Sequence, residues 1–377
     1  MTFDGLRAQF PSAERCIHLN HAGLSPTSLT VREAILAATD SLLGDGDTLA
    51  AYMAHIERER ALRAALGRLL RVEPATLGFV RNTSHGLAIA AQALPLEPGG
   101  TVVCMRTDYP STVYPWQALA RNGVHTQLVE PTESALLDAC QNPAVKVLCA
   151  SWVHWGTGAV LDLNRVGRFC RERGILFVCD IVQGLGAIRP DLRFVDIAAA
   201  GCHKWLLTPA GIGVLYIRPE VLPTLLPTNV GWNWVENPID WDRLHFDQPK
   251  PGTARFEEGS PGFVATAGLL ASVELLESVG FDAVQERVLA LASYARTRLL
   301  ELGMTVAGER VESGIVGFRH PQIANDDVLA ALDAGNVRAA IRSGWVRFSP
   351  HAYSTEDEID RAVAAVPGQP HLKSALS

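Results

Sequence analysis

The chain carries little charge for its length, and none of it is concentrated. Asp, Glu, Lys and Arg make up 19% of 377 residues, and the formal net charge is −7. No basic run occurs, and no aromatic residues are interleaved with basic ones. Without clustered cations a nucleic-acid partner is not expected. No segment approaches the ~18 consecutive apolar residues of a membrane span, so no membrane association is expected. The opening MTFDGLRAQFPSAERC lacks a basic region followed by an apolar one, so no signal peptide is expected. There is no CxxC pair among Cys16, Cys104, Cys140, Cys149, Cys170, Cys179 and Cys202. Several of these lie in apolar runs, which suits buried free thiols in a reducing compartment, the cytoplasm, and no metal site is expected. No repeat or low-complexity segment is found. A G-x-G-x-x-G loop is also missing after the early strands, and GLGAI lacks the remaining glycine, so a dinucleotide site is excluded.

What is present is ordinary core material, with 48% hydrophobic residues. Short apolar runs alternate with helical patterns. TVVCM (101–105), VKVLCASWV (145–153), ILFVCDIV (175–182) and GVLYIR (213–218) have strand length and content. LNRVGRFCRERG (163–174) reads as a helix stopped by glycine. Continuous apolar strands separated by helices predict an α/β fold with a mostly parallel sheet covered on both faces. Residues 228–262, rich in Trp, Pro, Asn and Gly, show neither period and read as a long functional loop or arm. Two helices follow, stopping at Gly280 and Gly303. Beyond them short strands alternate with helices, one opened by a capping box of Thr355 and Glu358. The last residues, GQPHLKSALS, read as a frayed tail.

Four local features point to chemistry, each with a plainer alternative. Lys204 sits in the apolar stretch DIAAAGCHKWLLTPAGIGVLYIR. Burial lowers a lysine's pKa, and such an amine can attack a carbonyl to form a Schiff base. The alternative is a loop-tip lysine with its head in water. In FVCDIVQGLG, Asp180 ends an apolar run at the edge where open α/β sheets bind ligands. A carboxylate there suits a protonated ring nitrogen, and Gln183 a ring oxygen; the alternative is an N-cap aspartate and a surface glutamine. Asn82, Thr83, Ser84 and Gly86 open a helix whose N-terminus suits a phosphate, or simply a cap. Tyr109, after TVVCM, suits stacking on a flat ring, or packing.

Taken together and in this order, these segments resemble the class V aminotransferase family of fold-type I enzymes dependent on pyridoxal 5′-phosphate (PLP). That family includes cysteine desulfurases, kynureninases and isopenicillin N epimerases. The resemblance is carried by NTSHG (82–86), DYPS (108–111), SWVHWGTGAVLDL (151–163), DIVQGLGA (180–187), GCHKWLLTPAGIGVLYIR (201–218), RFEEGSP (255–261) and VRFSPHAYSTEDEID (346–360). It implies a seven-stranded, mostly parallel sheet with helices on both faces and a small α+β C-terminal domain. The implied boundaries are 1–20 packing with the small domain, 21–265 as the PLP-binding domain and 266–377 as the small one. Lys204 would be the Schiff-base lysine and the proton shuttle, and Asp180 would keep the ring nitrogen protonated. Gln183 would contact the ring hydroxyl and Tyr109 stack on the ring. Thr83, Ser84 and His203 would bind phosphate, with Ser260 arriving from the second subunit of a homodimer whose active site lies at the interface. Arg347 would grip the substrate α-carboxylate with its planar fork. Asn20 and His21 would approach the substrate side of the cofactor.

Two departures matter. Trp152, Val153, His154 and Trp155 replace the family's usual residues, either as strand-end packing or as a reshaped wall with His154 facing the substrate. A desulfurase also needs a mobile cysteine shortly before the carboxylate arginine, yet NVRAAIRSGWVRFS has none and no cysteine follows Cys202. A persulfide-forming desulfurase is therefore disfavoured. Transamination of an amino acid comes first, β-elimination at a C–S bond second, and epimerisation or kynureninase-like cleavage after them. A non-catalytic PLP-binding regulator is disfavoured, because no basic helix-turn-helix precedes residue 20.

Overall fold

The computed structural model describes residues 1–44, 48–240, 242–259 and 262–368. Ser260 and all of the expected frayed tail beyond Gly368 lie outside the described residues. Strands are numbered along the chain: β1 Ile17–His18, β2 Leu77–Val80, β3 Thr101–Met105, β4 His125–Val129, β5 Val145–Ser151, β6 Leu176–Asp180, β7 Ile197–Gly201 and β8 Gly213–Ile217. There follow β9 Thr305–Val306, β10 Val316–Arg319, β11 Val337–Arg338, β12 Ala340–Arg342 and β13 Trp345–Phe348.

Seven strands form one sheet in the order β2-β8-β7-β6-β5-β3-β4. All neighbouring pairs from β4 to β7 are parallel, and β8 is antiparallel to both β7 and β2. The reason is local. Residues 202–212 link β7 to β8 without a helix, and so short a link permits only an antiparallel return. The sheet is therefore the mostly parallel one expected, with one reversed strand.

Both faces are buried, and the alternation along each strand shows it. Phe177, Cys179, Ala198 and Ala200 enter one apolar cluster, while Val178, Ile197 and Ala199 enter another across the sheet. The small side chains of β7 let a helix come close. A Cβ on Gly86, in the helix Thr83–Ala93, would stand 2.7 Å from the Ala199 Cβ. That contact brings the helix N-terminus down onto the sheet edge. Six of the seven free cysteines are buried, Cys16 being the half-buried one.

A second sheet, in the order β12-β13-β10-β9, is antiparallel throughout. The helices Phe281–Glu301 and Glu356–Ala364 share its core with Phe318, Val346 and Phe348. The capping box of Thr355 and Glu358 opens the latter helix. Glu358 also takes both guanidinium ends of Arg7, at 2.8 and 3.0 Å. The chain start joins this layer again through the parallel pair β1–β11 and the Asn20–Ser349 bridge. The arm at 228–262 is irregular where described, with 3-10 turns at Trp232–Trp234 and Thr253–Phe256. No single helix among the described residues is long and apolar enough to cross a membrane.

Candidate active site

The topology reverses between β3 and β5. From β3 the chain steps outward to β4, and from β5 it steps the other way through β6 to β7. Crevices at such switch points, outside the carboxyl ends of the strands, are where open α/β sheets hold ligands. Here the ends of β2, β3, β5, β6 and β7 deliver Asn82, Tyr109, Trp155, Asp180 and Lys204 to one cavity of about 560 Å³. Ala22, Gly23, Arg342 and Arg347 close it from the small-sheet side.

Lys204 and Asp180 both line it. Asp180 is buried at 2% exposure, and the Val182 N–H donates to its Oδ1 at 2.9 Å. Burial pushes its carboxyl up to about 7, against the pull of that N–H and of Lys204. Burial lowers the Lys204 amine to about 8, Asp180 opposing and the cations Arg347 and Arg342 assisting. Its Nζ stands 5.7 Å from the centre of the Tyr109 ring, which meets the Trp155 ring edge-on at 5.4 Å.

The phosphate-type end is the start of the helix Thr83–Ala93. The Asn82 side chain caps it, accepting from the His85 N–H at 2.9 Å. Thr83 Oγ1 accepts from the Gly201 N–H at 2.8 Å, tying the helix to the end of β7. The Ser84 and Ser111 hydroxyls pair at 2.6 Å, and half-buried His203 lines the same end. Gln183 lies on the opposite side, its amide donating to the Ala22 carbonyl at 3.1 Å and accepting from Trp205 Nε1 at 3.4 Å.

Arg347 is buried at 1% exposure. It donates to the Trp155 carbonyl at 2.7 Å and to Asn20 Oδ1 at 3.0 Å, while its Nε has no partner among the described residues. No acid among those residues neutralises it, and burial lowers its guanidinium to about 9. A buried cation without an anion is costly unless a ligand supplies one.

Three expected contacts fall elsewhere. Asn20 does not line the cavity and acts on Arg347 instead. His21 is fully buried behind the wall, with Nδ1 donating to the Ser349 carbonyl at 2.9 Å and Nε2 accepting from the Tyr353 hydroxyl at 2.8 Å. His154 turns into its own loop rather than toward a substrate. The Val153–Val160 bridge folds that loop back. The Thr157 hydroxyl then meets His154 Nδ1 at 2.9 Å, and Nε2 faces Thr107. Its neighbour Trp155 takes the cavity position, with the indole N–H on the Thr107 carbonyl at 2.9 Å.

Two contributors escape the sequence reading. Asp108 spans the crevice, accepting from the Tyr109 N–H and from Ser151 N–H at 2.8 Å each, and from the Ser151 hydroxyl. Arg342 lines the cavity, and among the described residues its side chain donates only to the adjacent Ile341 carbonyl, at 2.7 Å. The signal for it is RSGW. Ser343 and Gly344 both have positive φ, 50° and 76°, as a two-residue hairpin turn requires. That turn sets Arg342 opposite Trp345 and leaves it on the strand beside Arg347.

These residues suit a flat, phosphorylated, ring-nitrogen cofactor. The buried carboxylate, the amine, the aromatic cover and the helix N-terminus surround one cavity, whose size lies within the usual range for small-molecule sites. Gly211, which lines the cavity, has φ 124°, and a Cβ added there would meet nothing described within 4 Å.

Comparison with known proteins adds the lineage. The family described as Aminotransferase class-V matches residues 46–361. An uncharacterized aminotransferase, YcbU of Bacillus subtilis, is 26% identical over 366 residues, covering 95% of each chain. A probable cysteine desulfurase of Pyrococcus abyssi is 25% identical over 390 residues, again covering 95% of each. Among solved structures, the cystine C–S lyase C-DES in complex with cysteine persulfide superposes with a TM-score of 0.86 at 24% identity, over 94% of this chain and 98% of that one.

Proposed function

The chain belongs to the class-V aminotransferase family of fold-type I, PLP-dependent enzymes, and on that premise we propose that it is a carbon–sulfur lyase acting by β-elimination on a sulfur-bearing amino acid. One observation narrows the choice. A desulfurase needs a protein cysteine near the carboxylate arginine, but here β12 and β13 are joined by Ser343 and Gly344 alone, and no cysteine follows Cys202. There is no thiol at that place to receive sulfur, so in a carbon–sulfur cleavage here the sulfur would leave on the substrate's own fragment. Relatives named for sulfur amino acids support the substrate class. The sequence alone favours transamination; these relatives move the weight to elimination. Transamination remains the second reading, favoured by the likeness to YcbU.

In this proposal Lys204 would hold PLP covalently, with Asp180 to pair its ring nitrogen and Gln183 its ring oxygen. Tyr109 covers one ring face. Thr83, Ser84 and His203 hold the phosphate, with Ser260 of a second copy. When bound, PLP supplies a sink for negative charge developing at the substrate α-carbon. The protein does the rest. Arg347, aimed by Asn20 and the Trp155 carbonyl, takes the α-carboxylate in a bidentate grip. Lys204 Nζ would receive the substrate α-proton. The lowered pKa of about 8 makes it a base near neutral pH. Arg342, with no acid partner among the described residues, suits a second anion at the far end of the substrate, such as the distal carboxylate of a disulfide-linked amino acid.

A homodimer is part of this reading. Trp232 and Phe246 of the arm, and Leu43 and Leu49 of the early helices, are exposed at 39% to 82% in the single chain, and Leu244 at 98%. A second copy would cover them. The buried free thiols support a reducing, cytoplasmic setting.

The test is a substrate screen of the purified, PLP-loaded protein with cystine, cysteine thioethers and ordinary amino acids. Pyruvate and ammonia without an added 2-oxo acid support the lyase. Strict dependence on a 2-oxo acid would replace it with the aminotransferase.

A further inference from the structure

The main chain around Lys204 is held at every carbonyl. Four consecutive carbonyls, from His203 to Leu206, each accept a hydrogen bond from a distant segment. The Ser25 N–H donates to the His203 carbonyl at 3.1 Å, and the Ser25 hydroxyl to the Lys204 carbonyl at 2.5 Å. His351 Nε2 meets the Trp205 carbonyl at 3.1 Å. The Ser272 hydroxyl donates to the Leu206 carbonyl at 2.5 Å. The turn then closes with Leu207 at φ 54°, a conformation that leucine disfavours. Such a backbone persists only where its surroundings over-determine it.

His351 is the most telling of these contacts. A carbonyl only accepts, so Nε2 carries the hydrogen. Its Nδ1 is buried with no partner among the described residues, and the residue is fully buried. Burial lowers this imidazole to about 4, so it stays neutral beside the lysine turn. A buried polar atom left unpaired is a rarity that asks for an explanation. Gly186 packs against the same carbonyl, where a Cβ would stand 2.4 Å from that oxygen. The Trp205 indole also donates to Gln183.

Two of the three segments that hold this turn also hold or carry Arg347. Asn20, which bonds Arg347, lies just before Ser25; Arg347 itself lies just before His351. Ser349 lies between those two, tied to the Leu19 carbonyl through its hydroxyl at 3.1 Å. We infer that His351 and Ser25 are positioning residues for Lys204, fixing the carbonyls of its turn so that the amine stands at a set place relative to the Arg347 guanidinium. Neither touches substrate. This rests on Lys204 being the reactive amine proposed above.

The experiment reads the amine directly. Full-length protein stripped of cofactor is acetylated with acetic anhydride across a pH series, and the Lys204 peptide is quantified by mass spectrometry. The parent midpoint is expected near 8. In His351→Ala and Ser25→Ala the turn loosens and water reaches the amine. The midpoint should rise by about one pH unit toward that of a solvated lysine. His351→Gln, which restores a donor, should recover half or more of the shift. In the loaded protein the pH midpoint of the visible cofactor band should move in the same variants. Midpoints within about 0.2 unit of the parent, in variants whose circular dichroism is unchanged, would overturn the inference. If His351→Ala does not fold, Ser25→Ala decides alone. Borohydride fixing PLP to a different lysine would instead overturn the role of Lys204, a separate outcome.

Discussion

Replacing Arg347 by alanine should separate substrate binding from cofactor binding. The side chain is buried, has no acid partner among the described residues, and spends two donors on the Trp155 carbonyl and Asn20. A bidentate carboxylate contact contributes two charge-assisted hydrogen bonds of about 1.5–3 kcal/mol each. Their loss is about 3–6 kcal/mol, or roughly two to four decades in kcat/KM at about 1.4 kcal/mol per decade. Stability should change much less. The two acceptors lose a donor at about 1 kcal/mol each. Relief of a buried, unneutralised cation offsets part of that loss. The assay compares kcat/KM for a substrate acid with that for its methyl ester, and the Kd for PLP in both proteins. The acid should lose at least a hundredfold, the ester far less, and the PLP Kd should stay within about threefold. Equal losses for acid and ester, or a matching rise in the PLP Kd, would refute a carboxylate role and leave Arg347 a structural residue.

Three further outcomes follow from the same site. Lys204→Ala should abolish the borohydride-fixed PLP adduct, and an adduct on any other lysine in the parent would refute the assignment. PLP uptake by stripped protein should follow the neutral amine. The folded pKa of Lys204 lies below the usual lysine value, at about 8. The amine is therefore protonated and slow below that pH, and free and fast above it. A stopped-flow uptake midpoint near 10 would contradict the burial argument. Arg342→Ala should weaken amino acids carrying a second anion at least tenfold more than those without one, measured as the ratio of kcat/KM values; an unchanged ratio removes Arg342 from substrate recognition.

How much of this is legible in the sequence differs by element. The parallel core is legible because β3, β5 and β6 are short, mostly apolar segments of strand length, broken only by Lys146 in β5 and closed by Asp180 in β6. The reversed strand β8 is less so, because direction depends on the length of the Lys204 turn rather than on strand composition. Asp180 and Lys204 stand out as charges inside apolar sequence. Trp155 and His154 cannot be told apart, since which of two adjacent side chains faces the cavity depends on the Val153–Val160 fold-back. Arg342 looks like any strand-end arginine until the two-residue turn places it beside Arg347. His351 and Ser25 lie far from Lys204 in sequence, and no local pattern links them.

The central claim is most directly tested by counting turnovers without an acceptor. PLP-loaded protein is mixed with excess cystine and no 2-oxo acid, and pyruvate and ammonia are measured per active site. A lyase releases many equivalents of both, in equal amounts. Release of no more than about one equivalent of oxo acid per site, with no ammonia, would contradict the account and make the protein an aminotransferase.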